Sequence, residues 1–379
     1  MRMLSLVIAA LLAGGLFAEA GQRSGGPPLL EAPKGTGAIS GVVTDATTGR
    51  PVEGAIVGLG VTTGGSIIRT LPRVSTDPKG RFLFRDLAPS TKYYLRAARV
   101  GYAPARFGAS GPRIPSDRVS DLEIMVTDDI VTINVAADQW VSDLQVTLWR
   151  LGSITGRVVD ERGEPVVGVA VRGFSAVPVA GRSQFVGSDV VTTDDRGEYR
   201  LANLMPGKYA VSVLSVQQTV LDSTPEAAQK RAVGELGRGG GSNPGLPAVN
   251  IDGTHRLAIS NFATPPPPSS TAPRAYPAQF YPGAAARSDA RLIDIVYGAS
   301  RGGVDFQLLP VPAVTVSGRL EGAGDASSLM LRLMPAGSEQ LGAGSEAATT
   351  VVERDGSFTF LNVPAGEYTP RAWIDSANY

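Results

Sequence analysis

The sequence predicts an all-β protein made of tandem β-sandwich domains behind a signal peptide. Three observations predict this class. One block of sequence occurs three times, the apolar runs are only a few residues long, and Gly (46) and Pro (28) punctuate them in a chain of 379 residues. Short strands separated by frequent turn residues are typical of sandwiches, and self-similarity indicates repeated architecture.

The N-terminus has the three parts of a secretory signal. Arg2 precedes an apolar run from Leu4 to Phe17, and Ala18-Glu19-Ala20 forms an A-x-A cleavage site. We therefore assign residues 1–20 to a signal peptide and 21–37 to a flexible N-terminal segment. The alternative, a retained membrane anchor, is disfavoured because the run is shorter than the roughly 18 residues that span a bilayer. No later segment is apolar enough to span.

Charge and cysteine content narrow the function classes. Lys+Arg and Asp+Glu are each 35, and Cys is absent. A neutral chain does not indicate a nucleic-acid partner or an anionic membrane surface. Without cysteine, neither disulfides nor thiolate metal sites stabilise the fold.

The repeated block predicts a hairpin followed by a second turn. Its copies are VSTDPKGRFLFRDLAPSTKYYLRA (74–97), VTTDDRGEYRLANLMPGKYAVSV (191–213) and VVERDGSFTFLNVPAGEYTPRA (351–372). A glycine closes each tight turn, and Asp77 and Asp194 can bond their own turn backbone, whereas Glu353 is too long to do so well. The tyrosine after each proline turn either forms a tyrosine corner or only packs.

Three domains follow from these repeats. They are 38–151, 152–311 with a disordered Pro-rich insertion near 221–275, and 312–379, in which no closing segment follows the repeat. The third unit is completed either by another source of strand or by a longer protein of which this chain is a fragment. We expect the fragment, because an unclosed sandwich exposes a sheet edge and an apolar face.

The motifs resemble a known family. GxVxDxxGxPVxGAxV followed by TDxxGxYxFxxLxPGxYxV is similar to carboxypeptidase regulatory-like domains, which are transthyretin-related sandwiches found as accessory modules in metallocarboxypeptidases and bacterial envelope proteins. The second unit carries the pattern at Gly156, Asp160, Gly163, Pro165 and Gly168 and again from Thr193 to Val211. The resemblance implies an Ig-like or transthyretin-like sandwich and leaves the function open, since the matching positions are turns and core.

No catalytic constellation is visible in the sequence, so we predict that the chain is not an enzyme and holds no cofactor or metal. A metallocarboxypeptidase needs two His and a Glu around zinc, and His255 is the single histidine of the chain. We interpret it as a solvated residue of the insertion. GASRG (298–302) matches a nucleophile elbow, but a strand rather than a helix follows it, which indicates a hairpin turn.

Aromatic side chains are the candidate ligand contacts, because they stack on sugars and peptides. Tyr276, Phe280 and Tyr281 stand beside the insertion, and Trp140 lies in a predicted turn. The alternative is that they only pin the insertion to the sandwich.

The sequence therefore predicts an exported, non-catalytic modular protein of the bacterial envelope, either periplasmic, outer-membrane-associated or extracellular. It would serve as a binding, adhesion or spacer element, with a protein or polysaccharide of the envelope as partner. Two alternatives remain: a carbohydrate-binding accessory module, and the N-terminal part of a larger outer-membrane receptor or secreted enzyme.

Overall fold

The fold is seen in a computed structural model, which describes residues 35–63, 66–70, 73–111, 131–179, 182–221, 249–250, 254–258, 264, 272–321, 329–341 and 344–374. The predicted signal peptide and the chain up to residue 34 lie outside the described residues, as does most of the predicted insertion. The chain is all-β, as the sequence predicts. Among the described residues, no helix is long and apolar enough to cross a membrane.

The first repeat folds into module 1, a sandwich of two sheets. Its strands are β1 (Gly37–Asp45), β2 (Ile56–Thr63), β3 (Ser66–Thr70), β4 (Val74–Ser75), β5 (Arg81–Leu87), β6 (Thr91–Ala98), β7 (Tyr102–Ala103), β8 (Ala105–Arg106), β9 (Ile133–Val135) and β10 (Trp140–Arg150). One sheet has the order β5-β1-β10-β7 and the other β3-β2-β6-β8, with β4 on β2 and β9 on β6. The closing strand β10 runs parallel to β1.

The second repeat folds into module 2. Its segment of the chain contains β11 (Gly152–Val159), β12 (Ala170–Val179), β13 (Arg182–Gly187), β14 (Val191–Thr192), β15 (Glu198–Leu204), β16 (Gly207–Val213), β17 (Gln217–Leu221), β18 (Val249–Asn250), β19 (His255–Ala258), β20 (Arg274–Ala275), β21 (Gln279–Phe280), β22 (Ile293–Ile295), β23 (Ser300–Arg301) and β24 (Phe306–Gln307). The sheets are β15-β11-β23, with β24 also on β11, and β13-β12-β16-β21, with β14 and β22 beside them. Here β23 and β24 share the closing position parallel to β11.

The third repeat folds into module 3 together with strands from the module 2 segment. Its own strands are β25 (Val311–Arg319), β26 (Leu329–Pro335), β27 (Ala348–Val351), β28 (Ser357–Pro364) and β29 (Tyr368–Ile374). One sheet has the order β18-β19-β17-β27-β26-β29, and the other β20-β25-β28. Module 3 thus draws β17–β20 from the chain that precedes it.

Alternating strand residues build a separate core in each module. Ile39, Val43 and Leu148 are fully buried in module 1, and Ile154 and Val158 occupy the equivalent places in module 2. Among the described residues, the core cluster of module 3 has six buried members. Strand alternation explains why these positions could be predicted from the sequence.

Part of the segment that we predicted to be a disordered insertion forms strands. β17, β18 and β19 fall at its start and within it, and they pair in register with one another and with β27. Gln217, Gln218 and Thr219 are buried although they are polar. Because strand signals rest on apolar alternation, a buried strand of polar residues escapes them. Strands β17 to β20 of the preceding segment thus form part of the third unit.

Candidate functional site

In each of the first two units, one carboxylate accepts hydrogen bonds from the backbone of the repeated hairpin turn. Oδ1 of Asp77 accepts the backbone N–H groups of Lys79 and Arg81 at 2.9 and 2.8 Å. Asp194 holds the backbone two and four residues later in the same way, at 3.0 and 2.8 Å. The bond from the Arg81 backbone holds the pKa of Asp77 below its usual value. The prediction that both aspartates bond their own turn is confirmed.

In the third turn a different aspartate accepts a backbone N–H two residues later. Asp355, two residues after Glu353, accepts the backbone N–H of Ser357 at 3.0 Å and its hydroxyl at 2.6 Å. The turn glycine has positive φ in every unit, at +71°, +71° and +85° (Gly80, Gly197, Gly356). Since other residues rarely adopt this conformation, the turn needs glycine there. These charged side chains are thus engaged in shaping the turn.

A tyrosine corner is present in every unit. The hydroxyl donates to a carbonyl oxygen four or five residues upstream: Tyr93 to Ala88 at 3.0 Å, Tyr209 to Met205 at 2.9 Å, and Tyr368 to Pro364 at 2.6 Å. Burial raises the pKa of Tyr209 and Tyr368, which keeps each hydroxyl protonated as a donor. The structure therefore decides between the two predicted roles of these tyrosines in favour of the corner.

A threonine latch, which the sequence analysis missed, ties two turns together. The Oγ1 atom of Thr193 donates to the carbonyl oxygen of Val166 at 2.6 Å and accepts the N–H of Val169 at 2.9 Å. Thr76 makes the same pair of bonds in module 1, at 2.7 and 2.8 Å. The third unit has Val352 here and also lacks the GxPVxGAxV loop that the latch would hold. The third unit has lost both the threonine and the loop, and this joint loss is the sequence signal that could have revealed the latch.

The four predicted aromatic contacts lie in different environments. Trp140 begins β10 instead of lying in a turn, has 66% of its surface exposed, and donates Nε1–H to the Ser40 hydroxyl at 2.8 Å. Tyr276 is buried, and its hydroxyl donates to the Glu161 carboxylate at 2.6 Å. Phe280 is also buried, and its ring lies tilted against that of Phe174, with 6.3 Å between the centroids. The structure does not bring the tryptophan together with the other aromatics.

Tyr281 is half-buried and lines a surface cleft of about 280 Å³. The peptide bond between Tyr281 and the next residue, Pro282, is cis. The cleft is bounded by Arg291, Leu292, Ile293, Asp294, Arg301, Gly302, Gly303 and Val304. Its walls come from β22, β23 and the loops beside them, so the cleft belongs to module 2 alone.

The repeated geometry agrees with the family comparison. A family model described as the carboxypeptidase regulatory-like domain matches residues 38–139 and 153–231. These two stretches of the chain belong to the carboxypeptidase regulatory-like domain family. The matched stretches contain the turn, corner and latch of modules 1 and 2, which are therefore two such regulatory-like domains. No curated protein matches the chain in sequence.

Solved structures similar to the chain are remote in sequence. A streptococcal ancillary pilin is 13% identical over 59% of this chain and 58% of its own, with a TM-score of 0.26. The Bacillus anthracis TIE protein is 13% identical over 90% of this chain and 46% of its own, at 0.21. The shaft pilin SpaA of Lactobacillus rhamnosus GG is 9% identical over 74% and 98%, at 0.30. The chain thus spans about half the length of the first two.

The two sequence features that we considered for catalysis both lie on strands. Ser300 of the GASRG motif lies in β23, where its hydroxyl is 3.2 Å from that of Ser153, and the motif leads into a strand. His255 lies in β19, with Nε2 3.8 Å from the Glu353 carboxylate, so its predicted place in a solvated loop is wrong. Over the described ranges, no three His, Cys, Asp or Glu residues are grouped to hold a metal ion.

Strand β17, which is separated by three residues from β16 of the second regulatory-like domain, pairs within the sheet of module 3. The N–H of Gln217 in β17 donates to the carbonyl oxygen of Ala347 at 2.9 Å. The N–H of Leu361 donates to the buried Thr219 hydroxyl at 2.8 Å, and Asn362 donates to the Gln217 side chain at 3.1 Å. Bonds from both sheets of module 3 therefore fix β17 in place.

Apolar packing reinforces this junction. Leu341 of module 3 is buried in one cluster with Phe174, Leu214, Val216 and Phe280 of the module 2 segment. Burial of such side chains contributes roughly 1.5 to 3 kcal/mol each relative to exposure. The contact is a shared core, unlike the wet contacts that usually separate mobile domains.

Proposed function

We propose that the chain is a non-catalytic, exported element of the bacterial cell envelope whose tandem sandwiches hold binding surfaces at fixed positions. The observation that carries this proposal is the six-stranded sheet to which the module 2 segment and module 3 both contribute. Only three residues separate β16 from this sheet, and Leu341 of module 3 packs into a core cluster of the module 2 segment, so the junction has less freedom than a flexible linker. Such an element acts as a spacer or adhesion module with a protein or polysaccharide partner.

The repeated residues support a structural role for the modules. Each repeated polar group whose bonds are described above holds a turn or a corner of its own sandwich. Recognition in sandwich proteins resides instead in loops, which a rigid scaffold positions. The neutral charge balance suits a partner bound by shape and hydrogen bonding rather than by electrostatic attraction.

Rigid spacing is tested by the distance between modules 2 and 3. Because the chain has no cysteine, cysteines introduced at the exposed residues Val167 and Arg354 carry spin labels at defined places. We expect a single narrow distance distribution. Gln217→Pro, which removes the N–H bound to Ala347, should broaden it, and Gln217→Ala, which keeps that N–H, should broaden it less. A broad distribution in the parent protein contradicts the spacer function.

A second candidate, carbohydrate binding, is favoured by the exposure of Trp140. Its ring stands on a strand at the surface of module 1, with 66% of its area exposed. Flat aromatic surfaces stack on sugar rings. Thermal shifts with a panel of polysaccharides and peptidoglycan fragments test this: a shift lost in Trp140→Ala and retained in part by Trp140→Phe supports it. Equal shifts in all three proteins, or none, exclude Trp140 as a sugar contact.

A further inference from the structure

The cleft beside Tyr281 in module 2 carries positive charge that no carboxylate of the described residues neutralises. Arg291 and Arg301 both line the cleft, and both are exposed. Among the described residues, the Arg291 side chain has no hydrogen bond or ion pair, and Arg301 donates only from Nε to the Asp294 carbonyl oxygen, at 3.2 Å. Each guanidinium group presents a fork of N–H donors, so the pair attracts an anion.

Two backbone amides of the same cleft are also free to donate. Gly302 and Gly303 follow β23, and within the described part of the chain neither N–H donates a hydrogen bond. Gly303 has φ of +76°, and a Cβ built there would meet nothing within 4 Å. The backbone is therefore open to a ligand at this point, and its free N–H groups add to the attraction for an anion.

An unpaired carboxylate restricts which anion fits. Asp294 lines the cleft, is exposed, and its side chain has no hydrogen bond or ion pair among the described residues. This negative charge repels a dianion such as phosphate more strongly than it repels a monoanion. It also accepts hydrogen bonds, so it favours a ligand that carries hydroxyl donors. The cleft thus suits a small molecule unit with one carboxylate and several hydroxyl groups.

The ring of Tyr281 supplies an apolar wall that is fixed in place. It makes an edge contact with the ring of Phe306, with 6.0 Å between the centroids, and its N–H donates to Val211 at 2.9 Å. The carbonyl oxygen of Tyr281 accepts the N–H of Arg291 at 2.8 Å. An aromatic ring and an unpaired arginine are therefore held side by side. A fixed ring of this kind packs against the C–H groups of a sugar.

The volume of the cleft limits the ligand to one small unit. It measures about 280 Å³, slightly less than the roughly 300 to 1,000 Å³ of pockets that enclose drug-sized ligands. Leu292, which lines it, is 49% exposed, so the cleft is open to solvent. A longer chain molecule can therefore place one unit in the cleft while its other units lie outside.

We propose that this cleft, formed by residues 281, 291–294 and 301–304, binds one uronic acid unit of an acidic polysaccharide. The sugar carboxylate pairs with Arg291 and Arg301 and accepts the free glycine amides. The sugar hydroxyl groups donate to Asp294, and the C–H face of the ring packs on Tyr281. The cleft matches the charge of the unit locally, in a chain whose net charge is zero. This inference rests on the proposed function and deepens it, because it names the class of polysaccharide partner.

The test measures the affinity of the mature chain for trigalacturonate by isothermal titration calorimetry. We expect saturable binding, and at least tenfold weaker binding of the methyl ester of the same trisaccharide, which keeps the hydroxyl groups and loses the charges. Arg291→Gln and Arg301→Gln should each weaken trigalacturonate binding at least tenfold. Arg85→Gln, which removes one exposed arginine charge from module 1, is the matched control and should bind like the parent.

Two further measurements locate the site and identify the source of the carboxylate. Amide NMR of the parent protein should show shifts at Gly302 and Gly303 when trigalacturonate binds. Acetylated trialanine, which has a carboxylate but no hydroxyl groups, and inorganic phosphate should each bind at least tenfold more weakly than trigalacturonate. Trp140→Ala should leave trigalacturonate binding unchanged, because Trp140 lies in module 1.

Several results overturn the proposal. They are absence of binding, equal binding of the methyl ester, and equal binding by Arg291→Gln and Arg301→Gln. Binding of trialanine or phosphate as tight as that of trigalacturonate also overturns it, as does loss of binding in Trp140→Ala. None of these results changes the distance distribution between modules 2 and 3. A narrow distribution with no trigalacturonate binding therefore refutes this site alone, whereas a broad distribution refutes the spacer function.

Discussion

Replacing Thr193 by Val tests whether the threonine latch stabilises module 2. The hydroxyl is buried and bonds both Val166 and Val169, at 2.6 and 2.9 Å. Valine has nearly the same shape, so the change leaves the packing intact and removes both bonds. The matched control is Thr193→Ser, which keeps the hydroxyl.

The expected cost follows from the groups left without partners. An unsatisfied buried donor or acceptor costs about 1 to 3 kcal/mol, so the two together should lower the free energy of unfolding by about 2 to 6 kcal/mol. Val352 at the same position of the third unit shows that valine fits this site sterically when no loop needs to be held. The cost is therefore one of hydrogen bonding alone.

Hydrogen exchange followed by mass spectrometry measures the effect in one module of the intact chain. Amides of β12 and β15 should exchange roughly 30-fold faster for a loss of about 2 kcal/mol. Amides of β5 and β6 in module 1 serve as an internal reference. Unchanged exchange of module 2 in Thr193→Val, or an equally large effect of Thr193→Ser, would refute the reasoning.

Three further predictions concern packing and pH. Gly156→Ala should destabilise module 2 by about 3 kcal/mol, because its methyl group would meet the Val304 carbonyl oxygen at 1.8 Å; Gly302→Ala, with 3.4 Å to its nearest neighbour, is the control in urea unfolding. Burial raises the pKa of Tyr199, so the stability that this residue adds is present below the unfolded pKa of about 10 and is lost as pH rises beyond it. Tyr199→Phe should flatten that alkaline decline in thermal unfolding, and an unchanged slope would contradict it. Burial also raises the pKa of Glu346 in module 3, so its contribution is present below about pH 4.3 and fades as pH rises through the folded value. Glu346→Gln should remove this part of the pH dependence, and a parent protein whose module 3 is equally stable at pH 4 and 8 would count against it.

The fold could be predicted because its determinants are local. Glycine at a tight turn, aspartate two residues before a turn amide, and tyrosine after a proline turn each act within a few residues. The glycine and the tyrosine recur in all three units and the aspartate in the first two, and the structure places Gly80, Asp194 and Tyr209 in the predicted roles. Because the same short-range signals occur more than once, they predicted the turns and corners of this chain correctly.

The junction between modules 2 and 3 could not be predicted, because it depends on contacts between distant segments. Thr219 reaches Leu361 across the module boundary, and nothing in the polar run QQTVL indicates a buried strand. The aromatic candidates show the same limit. Phe280 and Trp140 look alike as exposed-site candidates in sequence, yet one is 5% and the other 66% exposed. Burial of a single aromatic is set by strands that lie far along the chain.

A comparison of the three units distinguishes residues that every sandwich retains from residues that are lost in the third unit. The turn glycine and corner tyrosine persist in all three, since each serves its own unit. The latch and its loop are lost together in the third unit, and Val352 fills the gap with apolar contact. At the opening strand Gly318 remains, because a Cβ there would lie 2.6 Å from the ring of Phe358 in the same unit. A residue that is constrained by contacts within its own unit therefore persists in all three units, whereas the threonine that bonds the loop is lost together with the loop.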